Sequence, residues 1–144
     1  MDICPAYWDW LDLQFEQGLI GSVDMIGREL RDGNDDLADW VRERPGHFIS
    51  NDDEATQSAF AAIVQSVMEG DYNAGNRDSF LAKADPWIIA KAQCLGATVV
   101  THESVVAPNA RKVKVPNICQ QFDVTCINTF QFLRELNARF VLGT

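Results

Sequence analysis

At 144 residues, with 47% hydrophobic and 23% charged side chains, the chain has the composition of one ordinary globular domain, neither disordered nor membrane-embedded. Its 12 basic residues against 21 acidic ones leave a net charge of −9, which excludes broad electrostatic attraction to nucleic acid; such a partner would need divalent cations or a local basic patch. No apolar run approaches the ~20 residues of a membrane span, and no basic-then-apolar leader opens the chain, so a cytoplasmic protein is expected.

The spacing predicts a first helix over residues 5–17, with Pro5 in its first turn and Tyr7, Trp10, Leu11 and Phe15 on one face. "GLIGSV" (18–23) reads as a turn or short strand, and "DMIGREL" (24–30) as a short helix capped by Asp24. "DDLADWVRER" (35–44) is a further helix ended by Pro45 and Gly46, and "HFIS" (47–50) a strand. A long helix is expected over 51–70: acids cluster at its start, Ala55, Ala59, Ala62, Ile63 and Val67 line one face, and Gly70 ends it. "DYNAGNRD" (71–78), rich in turn formers, reads as a loop.

In "ADPWIIAKAQCLGATVVTHE" (84–103) an Asp-Pro pair opens a helix, Gly96 closes it, and a β-branched strand ends on His102 and Glu103. A loop (104–115), a short helix begun by Pro116, the strand "VTCIN" (124–128), the helix "TFQFLRELN" (129–137) and a strand "RFVL" (139–142) complete the chain. Helices alternating with short β-branched strands predict an α/β fold with a mainly parallel sheet, in a single domain spanning 1–144. The four cysteines, Cys4, Cys94, Cys119 and Cys126, contain no Cys-x-x-Cys pair. No disulfide framework is expected from them, nor, with two histidines, a zinc site.

Asp85 and Glu103 pose the chemical question. A helix of about 15 Å from Pro86 to Leu95 and a strand of about 16 Å running back return the chain to the edge where it left. Ligands bind at that edge in open α/β sheets. Two carboxylates there suit a hard cation such as Mg²⁺ or Mn²⁺. Taken singly, each acid also has a plain reading. Asp85 before Pro86 is a standard N-cap pair, Glu103 a polar strand end, and Glu29 beside Arg28 a surface ion pair. His102 reads as an exposed histidine or as an acid/base group that orients a phosphate. "RKVK" (111–114) reads as a solvated loop or as the local basic patch.

The motifs "ICPAYWDWL", "SVDMIGREL", "ADPWIIAKA", "GATVVTHE", "VPNICQQFDVTCINTF" and "LRELNARFVL" follow one another in this order. Together they resemble a bacterial PIN-like family of unknown function, related to VapC-type toxins, in which an Asp opens a helix and a strand ends in Thr-x-Asp/Glu. The resemblance implies a three-layer α/β/α fold with a mainly parallel sheet. It also implies a Mg²⁺-dependent (or Mn²⁺-dependent) endoribonuclease, the toxin of a toxin–antitoxin pair, with RNA as substrate and an antitoxin protein as partner; a homodimer is left open. Carried over, Glu29, Asp85 and Glu103 are the catalytic, metal-holding acids; beside them Thr101 and His102 read as possible support, and Arg111, Lys112 and Lys114 of the basic run as the residues that meet RNA.

One departure stands out. The family's first strand and its acid have no counterpart, since the chain opens at "MDICPAYWDWL", already the first helix, and Asp2 lies too close to Pro5 to replace that acid. The expected domain is therefore N-terminally incomplete. Either the start lies at an internal Met or the protein is trimmed, or the short form closes its sheet by re-pairing strands or borrowing one. The alternative function is a PIN-like protein-binding module without catalysis. A third reading, another metal-dependent phosphohydrolase, predicts cleavage of small phosphate esters instead of RNA.

Overall fold

The computed structural model describes residues 5–17, 21–23, 39, 42–43, 48–50, 52–101, 103, 106 and 111–136. The chain forms two compact units, one from residues 1–49 and 130–144, the other from residues 50–129. The predicted helix 24–30 and strand 139–142 lie outside the described residues, as does most of the helix 35–44.

The first unit contains α1 (Pro5–Glu16), β1 (Ser22–Val23) and β2 (Phe48–Ile49). Half-buried Trp10, Leu11 and Phe15 flank the buried Gln14 on α1, close to the predicted face. The two strands pair in parallel, Ser22 opposite Phe48 and Val23 opposite Ile49. Chain reversal between parallel partners requires a crossover, which here spans the intervening 24 residues (24–47). Trp10 meets Phe132 edge-on, with ring centroids 5.6 Å apart.

The second unit carries α2 (Glu54–Glu69), α3 (Ala74–Ala82), α4 (Asp85–Leu95), β3 (Val99–Val100), α5 (Val115–Gln121) and β4 (Cys126–Ile127); α6 (Thr129–Glu135) leads the chain onward. β3 and β4 are parallel, Val99 opposite Cys126 and Val100 opposite Ile127, and the Thr101 N–H donating to the Ile127 carbonyl extends the ladder. Every described strand pairing is thus parallel. The fold is mixed α/β and mostly helical, with strands shorter than the β-branched runs suggested.

The core of this unit gathers Ile63 and Val67 of α2, Phe80 of α3, Ile89 and Ala90 of α4, Val99 of β3, and Ile118 and Cys119 of α5. On α2 the buried stripe is Thr56, Ile63 and Val67, with Ala59 and Phe60 half-buried, whereas Ala55 and Ala62 are exposed. That corrects the predicted face by about one position, because the bulky side chains and not the alanines reach α4. Phe60 of α2 stacks on Trp87 of α4, centroids 3.7 Å apart and planes within 5°.

The segment 71–78 is not a loop. α3 starts inside it, because the Asn73 side chain accepts hydrogen bonds from the Gly75 and Asn76 N–H groups. Such a cap contributes about 1 kcal/mol, which offsets glycine and asparagine in the first turn. Buried Phe80 anchors the far end. Gly70 does end α2, but through space and not a left-handed backbone: a Cβ there would run into the Tyr72 ring.

Asp53 caps α2, accepting from the Thr56 N–H (3.0 Å) and hydroxyl (2.8 Å), and pairs with Lys91 of α4 at 2.7 Å. The Lys91 ammonium first, then Thr56, hold this carboxyl well below the usual carboxylate range. A depressed folded pKa gives stability that is present above the ordinary Asp value of about 3.9 and lost as pH falls toward the folded value. Asp53→Asn keeps the cap and removes the charge. Its Tm is expected to lie below that of the unsubstituted chain at pH 7, with the gap closing below about pH 4. Thermal melts at both ends of that window check this; a gap independent of pH would contradict it.

Candidate functional site

α4 begins on the buried Ala84–Pro86 corner and ends at Gly96, whose left-handed backbone (φ +64°) lets the Ala97 N–H reach back to the Ala92 carbonyl. β3 follows and packs against α4, and Thr101 and Glu103 come just past the last residue of the strand.

Asp85 is the first residue of α4 and half-buried, with Pro86 following it. The capping reading is corrected here: the N-cap is Ala84, in helical backbone geometry, whose side chain makes no cap bond. Asp85 therefore sits within the first turn, where the helix dipole favours a negative charge.

Glu103, also half-buried, has a defined task. Its Oε2 accepts the Val115 N–H at 2.7 Å, supplying the cap that α5 lacks, since Lys114 makes no side-chain cap bond. A donor at the start of a helix is otherwise unsatisfied, so this charge-assisted bond stabilises the turn. The Glu103 N–H in turn donates to Thr101 Oγ1 at 3.1 Å, tying the acid to the end of the β3 ladder. Val106 is held twice by the Asn117 side chain: its N–H donates to Oδ1 at 3.0 Å and its carbonyl accepts from Nδ2 at 2.8 Å.

In the basic run Arg111 and Lys112 are exposed, while Lys114, in extended backbone, is half-buried between the buried Val113 and Val115. Arg111 approaches Asp71 at 3.7 Å across open solvent, a contact of little energetic value. Its carbonyl accepts the Asn73 N–H at 2.7 Å, which fixes the backbone instead.

Glu29 and His102 lie outside the described residues. Among the described residues, no three His, Cys, Asp or Glu side chains gather as a group able to hold a metal ion. The described cysteines are free thiols, and burial pushes Cys119 up to about 12 and raises Cys126 as well, so neither supplies a thiolate nucleophile near neutral pH. Sequence reasoning missed Asn117 and the capping task of Glu103. Both bonds join positions 11 and 12 residues apart, and no local pattern marks them.

Among the described residues no helix is long and apolar enough to cross a membrane. The family model described as Domain of unknown function (DUF4411) matches residues 1–140. No curated protein and no solved structure matches the chain.

Proposed function

The chain belongs to the DUF4411 family, a domain of unknown function; from the resemblance of its motifs around Glu29, Asp85 and Glu103 to PIN-like proteins, we propose that it is a PIN-like, Mg²⁺- or Mn²⁺-dependent endoribonuclease. In this reading it is the toxin of a bacterial toxin–antitoxin pair, restrained by an antitoxin protein, with a three-layer α/β/α fold. The observation that carries the reading is a pair of half-buried carboxylates bracketing one helix–strand unit: Asp85 in the first turn of α4 and Glu103 just past β3, on lengths of helix and strand that would return the chain to the edge it left.

Glu29, Asp85 and Glu103 would hold the metal, and an all-oxygen donor set suits a hard divalent cation. Such a cation, when bound, supplies an activated water and offsets charge on the phosphate. The protein's own residues do the rest. Thr101 fixes the backbone of Glu103, and His102 orients a phosphate or moves a proton. Arg111, Lys112 and Lys114 face outward along one segment, the local cationic row that a chain of net charge −9 needs to engage a phosphate backbone.

A PIN-like protein-binding module without catalysis is favoured by one observation, that Glu103 already commits an oxygen to the Val115 N–H. Incubating the purified chain with RNA, with and without Mn²⁺, separates the two. Cleavage that needs Mn²⁺ and stops with chelator is expected; intact RNA from a folded chain would replace the ribonuclease with the binding module.

A further inference from the structure

The first turn of α5 grips the stretch after β3 at two points: the Val115 N–H holds the Glu103 carboxylate, and the Asn117 side chain holds both backbone groups of Val106. Glu103 and Val106 are three residues apart and their two holders two, so the three hydrogen bonds close a small ring of backbone and side chain. Asn117 offers one donor and one acceptor in a fixed plane, the same pair a neighbouring strand would present, and it meets Val106 with both at 2.8 and 3.0 Å. Removing it would free Val106 from α5 and leave Glu103 held by its bonds to the Val115 N–H and to Thr101 Oγ1.

We infer that Asn117 is a positioning residue for Glu103: it fixes the stretch behind the acid so that Oε2 stays on the Val115 N–H and the carboxylate is presented to a divalent cation in one orientation. This rests on the proposed metal-binding role of Glu103. Partners that orient a ligand from behind commonly change metal affinity 10- to 100-fold when removed, without taking part in the chemistry.

Two readouts on Asn117→Ala test it. Val115 is the first residue of α5 and its N–H has no carbonyl partner within the helix, so its protection from hydrogen exchange depends on Glu103. That protection is expected to fall at least about 10-fold in Asn117→Ala, while the Ile63 and Ile118 amides, deep in the core, keep theirs and show that the fold survives. Asn117→Asp, which retains the acceptor for the Val106 N–H and loses the donor, is expected to fall between. In RNA cleavage the half-saturating Mn²⁺ concentration is expected to rise about 10- to 100-fold, with kcat at saturating Mn²⁺ nearly unchanged.

Unchanged Val115 protection, or lowered protection with an unmoved Mn²⁺ requirement, overturns the positioning role and leaves the ribonuclease standing. Lowered protection in a chain whose unsubstituted form neither binds Mn²⁺ nor cleaves RNA removes the metal reading and with it the presentation of Glu103 to a cation.

Discussion

Asp85→Asn is expected to reduce Mn²⁺-dependent RNA cleavage by at least about 100-fold while leaving the circular dichroism spectrum unchanged. The magnitude follows from the role: losing an outer partner of a metal ligand costs 10- to 100-fold, and losing a ligand belongs at or beyond the upper end. The substitution is nearly isosteric and replaces an anionic oxygen donor with a neutral amide, which binds a hard cation far more weakly. Asp85 lies one position inside the N-cap of α4, so the spectrum is the control that separates a lost ligand from structural damage. Removing one negative charge from a helix's first turn costs about 0.3–1 kcal/mol, a few degrees in Tm for a chain of this size. Cleavage by Asp85→Asn at the rate of the unsubstituted chain would remove Asp85 from the site. A loss accompanied by unfolding would show instead that the carboxylate is structural.

Ile89→Ala is expected to destabilise the chain by about 2–5 kcal/mol, a large share of the ~5–15 kcal/mol that holds most domains folded. Ile89 is fully buried in α4, within the cluster that also contains Ile63, Val67 and Ile118 from two other helices. A three-carbon deletion there loses burial and leaves a cavity that three separate elements would have to move together to fill. Leu95, six residues on in the same helix, is 58% exposed, and its replacement by Ala should stay within about 0.5 kcal/mol. Urea denaturation of both variants checks the contrast. Equal midpoints would mean that α4 does not anchor the core as described.

Reading the chain by itself went furthest where one residue type has one physical consequence. Gly96 as the end of α4 was legible because a left-handed C-terminal residue favours glycine, and the backbone there is left-handed. The parallel pairing of β3 and β4 followed from a helix lying between β-branched runs.

Other features depended on partners the spacing cannot reveal. The segment 71–78 looked like a loop because its composition is that of turns, yet the same Asn73 is also a cap, and Phe80 packing into the core selects the helix. The buried face of α2 was misjudged because alanine fits either side of a helix; only the position of α4, with Trp87 against Phe60, decides which side is inside.

At the candidate site the same division holds. Sequence alone determined which acids exist and which elements bear them: Asp85 at a helix start and Glu103 past a strand. It could not tell capping from ligation. Asp85-Pro86 has the pattern of a cap and is not one, while Glu103, with no capping pattern, caps a helix 12 residues further along. A hydrogen bond is decided by the distance and direction between two groups, and for residues far apart in the chain only the tertiary fold sets those.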